Sequence, residues 1–184
     1  MSAAQRPWAA ELLHFWFEKL GPRDWFRGGS HVDKALRERF ECILLALFTQ
    51  PAESFLSDPK TARAAVLLFD QLPRNLYRGT VEQFAFDPLA RTIARGALAL
   101  GWNQGLDKPR KQFLAMPLMH SEAIADQLLS LRYYTALGDP FIRRFALNHY
   151  RMVARFGRFP HRNALLGRKS TPAEIAAIAA GNSW

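Results

Sequence analysis

Two segments of the sequence carry similar arginine, asparagine and proline residues, and their side chains suit the binding of an anion. Residues 69–79 read FDQLPRNLYRG, and residues 156–168 read FGRFPHRNALLGR. Guanidinium groups bind phosphate or carboxylate through forked hydrogen bonds. The same groups also build buried networks that only hold a fold together. Two interpretations therefore stay open for both segments, an anion site or a structural network.

The first segment lies at the expected end of a helix. If that helix continued to Arg74, Asp70 and Arg74 would be i,i+4 neighbours and could pair. Pro73 lacks an N–H and clashes with the carbonyl four residues before it, so we expect the helix to kink or end there. Polar side chains would then satisfy the freed backbone groups or orient the arginines toward a ligand. The candidate ligand-binding residues here are Asp70, Gln71, Arg74, Asn75 and Arg78.

The second segment follows a helix that we expect to end at Gly157 in a left-handed cap. Pro160 keeps the next residues out of regular helix, and a polar loop after a helix is a plausible ligand loop. The alternative is a loop pinned by its own arginines, which would bond helix C-terminal carbonyls. The candidate ligand-binding residues of this loop are Arg158, His161, Arg162 and Asn163.

A third candidate is the turn PLMHSE, residues 117–122. We expect Pro117 to break one helix and Ser121 to cap the next, which places Glu122 in a first turn where negative charge is favoured. His120 and Glu122 are the candidate residues of this turn. We expect the three segments to converge on one polar, basic pocket, with the arginines as anion contacts and with His120 and His161 as donors or proton carriers.

Three functions fit these residues. The leading hypothesis is binding of a small anionic ligand or an acidic peptide end. The second is an enzyme that uses His120 or His161 with Asp70 or Glu122 as acid and base. The third is a nucleic-acid or protein-partner scaffold that uses the basic C-terminal helix. The sequence has no dinucleotide fingerprint, Walker loop, His-Glu-x-x-His motif or nucleophile elbow, and we expect neither a metal nor a cofactor.

The charge distribution favours an anionic partner. The formal net charge is +9, and no Asp or Glu occurs between Pro140 and Ala173. Such a segment attracts anions unless its arginines pair with acids from earlier helices, such as Asp70, Asp87 or Glu122. Nucleic acid is a possible partner without a recognisable motif, because aromatics such as Tyr150, Phe156 and Phe159 interleave with arginine but fall at core-like helical spacing. The basic residues of the segment are Arg143, Arg144, Arg151, Arg155, Arg158, Arg162, Arg168 and Lys169.

Length and composition bound the class of protein. A chain of 184 residues predicts one domain, residues 1–184, with a substantial core. No apolar run approaches the roughly 20 residues of a membrane span, and the N-terminus has no signal-peptide pattern. The sole cysteine, Cys42, lies in an apolar run and is expected to be buried. We expect a cytoplasmic protein without a membrane partner.

Helical signals position the three segments. Asp58-Pro59, Asp87-Pro88, Asp139-Pro140 and Thr171-Pro172 each pair a capping residue with Pro at the first helical position. Ser30 with Asp33, Thr80 with Gln83 and Thr171 with Glu174 resemble capping boxes. The periodicity predicts helices over residues 8–20, 31–49, 59–72, 88–100, 108–116, 122–137 and 140–156, and a short helix from Pro172. Intervals near thirty residues between helix starts indicate stacked antiparallel helical hairpins in a tetratricopeptide-like superhelix.

The same segments resemble a known family, the bacterial domain-of-unknown-function family 924. The resemblance covers nearly the whole chain and implies an all-helical, tetratricopeptide-like fold without an established activity. The chain departs from the family pattern at Leu72, where the family has Phe, and at Ala123-Ile124, where the family is more polar. The segments that carry it are FWF 15–17, WF 25–26, LFDQLPRNLYRGT 68–80, FDPLA 86–90, PLMHSE 117–122, FGRFPHRN 156–163, LGR 166–168 and STP 170–172.

Overall fold

The computed structural model describes residues 6–182, which form helices with no strand among them, as the sequence predicts. Short 3₁₀ turns occur at Ala52–Phe55, Val81–Phe84 and Pro160–Arg162, and π-helical turns at Phe15–Lys19 and Leu67–Gln71. The α-helices are α1 (Pro7–His14), α2 (Pro22–Arg27), α3 (Ser30–Leu47), α4 (Pro59–Val66), α5 (Leu72–Leu76), α6 (Asp87–Ala99), α7 (Lys108–Met119), α8 (Ile124–Ala136), α9 (Pro140–Phe156) and α10 (Pro172–Ala179). The all-α prediction is confirmed, and the finer superhelical arrangement stays a prediction.

The chain divides into two compact units, one up to Pro117 and one from Leu118. In the first unit α4 packs against α1 and α6. Its core includes the fully buried Trp16, which meets Phe113 edge-on with ring centroids 5.4 Å apart. Phe55 and Phe69 form a second buried edge-on pair at 5.2 Å.

The second unit is built on the pair α8 and α9, with α10 packed near the 3₁₀ turn at Pro160–Arg162. Its small core consists of Met152, Val153, Phe159 and Ala177, with Phe156 packed against it. The aromatic spacing that favoured a core position is therefore confirmed for Phe159, which is fully buried. This core fixes the loop that follows α9.

The cap signals succeed at three of the predicted helix starts. Asp58 and Asp139 each accept two backbone N–H bonds, and Thr171 forms a full capping box with Glu174. The other predicted caps are wrong, because neither Ser30 nor Thr80 makes a side-chain cap bond. Asp87 does not cap α6 either, and its carboxylate binds an arginine instead.

Pro73 does not end the helix, so of the two outcomes expected there, a kink or an end, the end is wrong. The chain passes from α4 through the π turn Leu67–Gln71 directly into α5, and the N–H of Leu72 bonds the carbonyl of Leu67. A π turn widens the helix by one residue, which relieves the clash between a proline ring and the preceding turn. The result is a helical path that keeps Asp70 and Arg74 on one face.

Pro117 does not break α7, which ends two residues later at Met119. Pro117 lacks the N–H that would bond the carbonyl of Phe113, so α7 carries this cost within its last turn. Ser121 does not cap α8, because that helix starts only at Ile124 after an Ala123 N-cap. Glu122 consequently precedes the helix and does not lie in its first turn.

Two further features of the described residues concern accessibility. Cys42 is exposed, so the buried position expected for it is wrong. The inward row of α3 is Val32, Leu36, Phe40 and Leu44, and Cys42 points away from that row. Among residues 6–182, no helix combines the length and apolar character needed to cross a bilayer.

Candidate functional site

Arg74 is held between two carboxylates in the first unit. Its Nη1 and Nη2 donate to Asp87 Oδ1 and Oδ2 at 2.8 and 3.0 Å, and Nη1 lies 3.4 Å from Asp70 Oδ1. Burial opposes the charged guanidinium, but the charges of Asp70 and Asp87 outweigh it and raise the pKa of Arg74. The predicted Asp70–Arg74 pair therefore forms, and Asp87 neutralises much of the charge that Arg74 would offer a ligand.

The π turn supplies the acceptors that surround this pair. Arg74 Nη1 also donates to the Asp70 carbonyl at 2.5 Å, and Asn75 Nδ2 donates to the Gln71 carbonyl at 3.0 Å. The buried Gln71 donates its Nε2 to Asp70 Oδ2 at 2.5 Å. Asn75 thus bonds a carbonyl of the π turn, one of the polar contacts expected near Pro73. Arg78 is more exposed, and its Nη2 pairs with the carboxylate of Asp33 at 3.2 Å.

The turn around His120 is positioned by a buried polar network in the second unit. Gln127 Nε2 donates to the carbonyls of Met119 and Ser121 at 2.7 and 2.6 Å. Ser121 Oγ donates to Asp126 Oδ2 at 2.7 Å. These side chains satisfy the end of α7, which is buried and would otherwise leave its carbonyls unbonded. The sequence indicated Asp126 only as an acid that could pair with the basic segment, and it did not single out Gln127; both lie in the first turn of α8.

Glu122 ties the loop after α9 to this turn. Arg168 donates to both of its carboxylate oxygens at 2.7 and 2.9 Å, and the N–H of Phe159 donates to Glu122 Oε1 at 2.7 Å. Burial acts to raise the pKa of Glu122, but the bonds from Arg168 and Phe159 outweigh it and lower that pKa. Arg168 is thus the principal partner of a predicted site residue, although it was singled out only as part of the basic stretch.

Arg158 and Asn163 also have structural partners. Arg158 Nε and Nη2 donate to Glu174 Oε1 and Oε2 at 2.6 and 3.0 Å. Those bonds from Arg158, helped by the N–H of Thr171, lower the pKa of Glu174 to about 2. The buried Asn163 donates to Ser170 Oγ at 3.0 Å. These contacts match the alternative interpretation of a loop pinned by its own side chains.

Two imidazoles and one guanidinium lie against the ring of Phe159, and a third imidazole, that of His120, lies beside one of them; we call this group the Phe159 cluster. The His149 and His161 rings lie 5.5 and 5.7 Å from the Phe159 ring, and the Arg162 guanidinium lies 4.6 Å above it. His120 lies 6.4 Å from His149, measured between ring centroids. His149 was not a sequence candidate, although its position on the inward row of α9 with Ile142, Ala146 and Val153 could have identified it.

The histidines of the Phe159 cluster favour their neutral forms. Burial, followed by the nearby His120, holds the pKa of His149 well below its usual 6.5. Burial and then the charge of Arg162 lower the pKa of His161 to about 4, against a smaller opposing effect of Glu122. His149 Nδ1 donates its hydrogen to the carbonyl of Phe145 at 2.8 Å, which sets the tautomer. Both rings are uncharged at neutral pH.

We expect the free energy of unfolding to fall as the pH drops from 6.5 toward 4. Between these values an unfolded chain protonates His161 while the folded chain does not, so acid favours unfolding. The contribution of His161 to the free energy of unfolding is fully present above pH 6.5, and about 2 kcal/mol of it is lost at pH 5. Urea titrations at pH 7.5 and 5 measure it. His161→Gln should flatten the dependence, whereas His31→Gln, at an exposed position, should not; equal slopes for all three proteins would contradict the assignment.

The predicted site residues are divided between the two units. The first unit holds Asp70, Gln71, Arg74, Asn75 and Arg78, which form one connected set around α5. The second unit holds the remainder, and the convergence of all three segments on one pocket stays a prediction. Within residues 6–182, no three His, Cys, Asp or Glu side chains are placed so that they could hold a metal ion together. The candidates of the second unit are His120, Glu122, Arg158, His161, Arg162 and Asn163.

Comparison with known proteins places the chain among bacterial proteins without an assigned activity. Residues 12–182 match a family described as bacterial protein of unknown function (DUF924). The solved structure of a protein of unknown function from Agrobacterium tumefaciens, ATU0120, superposes with a TM-score of 0.90 at 35% identity, covering 96% of this chain and 99% of that one. No curated protein matches the chain.

Proposed function

The chain belongs to the DUF924 family of bacterial proteins of unknown function, and we propose that it binds a small anion at the Phe159 cluster. The observation that carries the proposal is the grouping of Arg162, His149 and His161 against the buried Phe159 ring, with His120 beside His149. The ligand class is a molecule with a phosphate or carboxylate group. In this proposal Arg162 supplies the charge, and His120 and His161 donate hydrogen bonds.

The electrostatics of the cluster support an anion. Arg162 and Arg168 both act to lower the pKa of His161, so the cluster has a positive potential that Glu122 only partly offsets. A positive potential within a buried setting is weakly screened and attracts negative charge. A neutral imidazole keeps an N–H donor for the anion and adds no positive charge that would repel Arg162. An anion bound there would favour the protonated imidazole and raise the pKa of His161.

The ion pairs of the candidate arginines supply the rigid frame in this proposal. Arg158 binds Glu174 and Arg168 binds Glu122, which fixes the two ends of the loop that carries His161 and Arg162. Fixed ends cut the entropy lost when a ligand binds. The proposal therefore gives Arg158 a positioning role and leaves ligand contact to Arg162.

Acid–base catalysis in the same cluster is the second candidate function. His161 is neutral at pH 7, but its pKa of about 4 makes it a weak proton acceptor there, because a general base is most effective when its pKa lies near the working pH. In addition, both oxygens of Glu122 accept hydrogen bonds from Arg168, which favours an ionised carboxylate rather than a proton donor. The charge state of Glu122 thus favours binding over an acid role for that residue.

Thermal unfolding in the presence of inorganic phosphate, sulfate or citrate tests the proposal. Ionic strength is matched with NaCl, and the anions are used at low millimolar concentrations, where their exclusion from the protein surface raises the Tm little and specific binding dominates the shift. We expect at least one of these anions to raise the Tm of the wild-type protein beyond NaCl, and Arg162→Gln to abolish the shift. Arg132→Gln, an exposed change in the same unit, should retain it. An Arg162→Gln shift equal to that of the wild type, or no shift with any anion, would refute the proposal.

Histidine NMR titration gives a second measurement that does not depend on the stability of a variant. In the wild-type protein, saturation with the anion that raises the Tm should move the pKa of His161 upward from about 4. Because proton uptake then accompanies binding, the affinity for the anion should rise as the pH falls. An unchanged His161 titration in the bound protein would place the anion elsewhere.

A further inference from the structure

We propose that the exposed face of α9 binds single-stranded nucleic acid, with arginines on the phosphates and phenylalanines under the bases. Phe141 and Phe145 are 60% and 38% exposed, and their rings meet edge-on at 4.9 Å. Arg144, Arg151 and Arg155 are also exposed. These five residues fall at helical spacing on one side of α9, and we call them the α9 face. It is separate from the Phe159 cluster.

The charge of the α9 face is not neutralised within its own unit. Each of the four carboxylates there already has a partner: Glu122 binds Arg168, Glu174 binds Arg158, Asp126 binds Ser121, and Asp139 caps α9. Among the described residues, no carboxylate forms an ion pair with the three arginines of the α9 face. Their guanidinium groups are available to an external anion, and Arg144 also lies over the Phe141 ring at 5.6 Å.

The residue types favour nucleic acid among polyanions. Eight of the nine basic residues after Pro117 are arginine, and Lys169 is the other. Arginine makes forked bonds to phosphate and stacks on planar groups, whereas lysine acts as a point charge. Exposed aromatic rings beside arginines are the features on which single-stranded bases stack. In a duplex the bases are already stacked on one another, so the two phenylalanines favour a single strand.

The placement of the apolar residues argues against a membrane surface. A helix that lies on a bilayer buries its apolar side in lipid and turns its charged side to water. In α9 the apolar side, including Ile142, Ala146 and Val153, is already buried in the protein. Phe141 and Phe145 project from the same side as the arginines, so lipid burial of the rings would bring the arginines toward the hydrocarbon.

The dimensions of the α9 face set the expected site size and salt dependence. From Phe141 to Arg155 the helix rises about 21 Å, which spans about six nucleotides at about 3.4 Å each. Three arginines that each neutralise one phosphate give a slope of log K against log salt of about −2 for a single strand. These values describe a modest, salt-sensitive interaction without sequence preference.

Fluorescence anisotropy with the full chain and labelled oligothymidylate of 15 nucleotides tests the proposal. We expect binding at 50 mM salt with a slope near −2, and at least tenfold weaker binding by the variant Arg144→Gln/Arg151→Gln/Arg155→Gln. Phe141→Ala should weaken binding at least fivefold. The matched control Arg23→Gln/Arg27→Gln/Lys60→Gln removes the same charge from exposed positions of the first unit and should retain most of the affinity.

Four outcomes would overturn the proposal. They are no binding by the wild-type protein, an equal loss in the two triple variants, equal affinity for a 15-base-pair duplex, and tighter binding to vesicles of phosphatidylcholine with one quarter phosphatidylserine. Because all substituted side chains are exposed, circular dichroism should show the same helix content in each variant. Loss of binding with loss of helix content in the α9 variant alone would also count against the assignment.

Discussion

Replacing Arg74 with methionine should lower the free energy of unfolding by about 3–5 kcal/mol, the typical cost of removing one partner of a buried ion pair. Asp70 is only 1% exposed and pairs with Arg74 at 3.4 Å, so the substitution leaves a carboxylate in the core without its guanidinium. Methionine keeps the apolar stem of the side chain, which restricts the loss to the charge and its hydrogen bonds. Urea denaturation at pH 7.5 measures the change.

A double-mutant cycle separates the ion pair from general damage. The double variant Asp70→Asn/Arg74→Met should be less destabilised than the sum of the two single changes. It contains neither the Asp70 carboxylate nor the Arg74 guanidinium, so neither of these two charges is left without the other. Arg23→Met, at an exposed position, is the matched control and should change stability by no more than about 0.5 kcal/mol. Strict additivity in the cycle would show that the pair has no energetic coupling.

Local signals in the sequence predict the helices well where they act alone. The bounds of α9 are correct because Asp139 and Pro140 specify its start and Gly157, at φ 69°, specifies its end. At Pro73 the sequence predicts a kink or an end, and the helix does not end, because the π turn Leu67–Gln71 leads directly into α5. A rule for proline in a regular α-helix does not include the extra residue of a π turn.

The candidate side chains were identified more readily than their partners. Arg74 and Arg158 stand out by type and spacing, but the carboxylates that bind them, Asp87 and Glu174, lie 13 and 16 residues away and carry capping signals of their own. A capping residue and an ion-pair residue have the same sequence signature, and only the fold decides between them. Asp87 forms the ion pair at the expense of its cap, whereas Glu174 does both.

Exposure is the property that the sequence indicated least well. The aromatic residues considered for nucleic-acid contact were Tyr150, Phe156 and Phe159, none of which is classed as exposed. Phe141 and Phe145 occupy the first turns of the same helix and are exposed instead. Helical periodicity gives the spacing of a face but not the side that the rest of the protein covers, because coverage depends on long-range packing.

Replacing Glu122 with glutamine should destabilise the protein by about 2–3 kcal/mol, the cost of weakening hydrogen bonds to a charged group that is half-buried. Arg168 loses the negative charge that accepts both of its N–H groups, and Phe159 loses a charge-assisted backbone bond of 2.7 Å. Exposure of about a quarter of each side chain, 23% for Arg168 and 27% for Glu122, keeps the cost below that of a fully buried pair. Urea denaturation measures the loss.

Amide hydrogen exchange locates the same effect within the second unit. The Phe159 amide should exchange faster in Glu122→Gln, because its acceptor changes from a carboxylate oxygen to the weaker oxygen of a neutral amide. Glu38→Gln is the matched control. Glu38 is 64% exposed, and its i,i+4 ion pair with Lys34, at 3.8 Å, is expected to contribute little to stability. If Glu122→Gln left the Phe159 amide as protected as the control does, Glu122 would not hold the His161 loop, and the rigid frame proposed for the anion site would lose its main support.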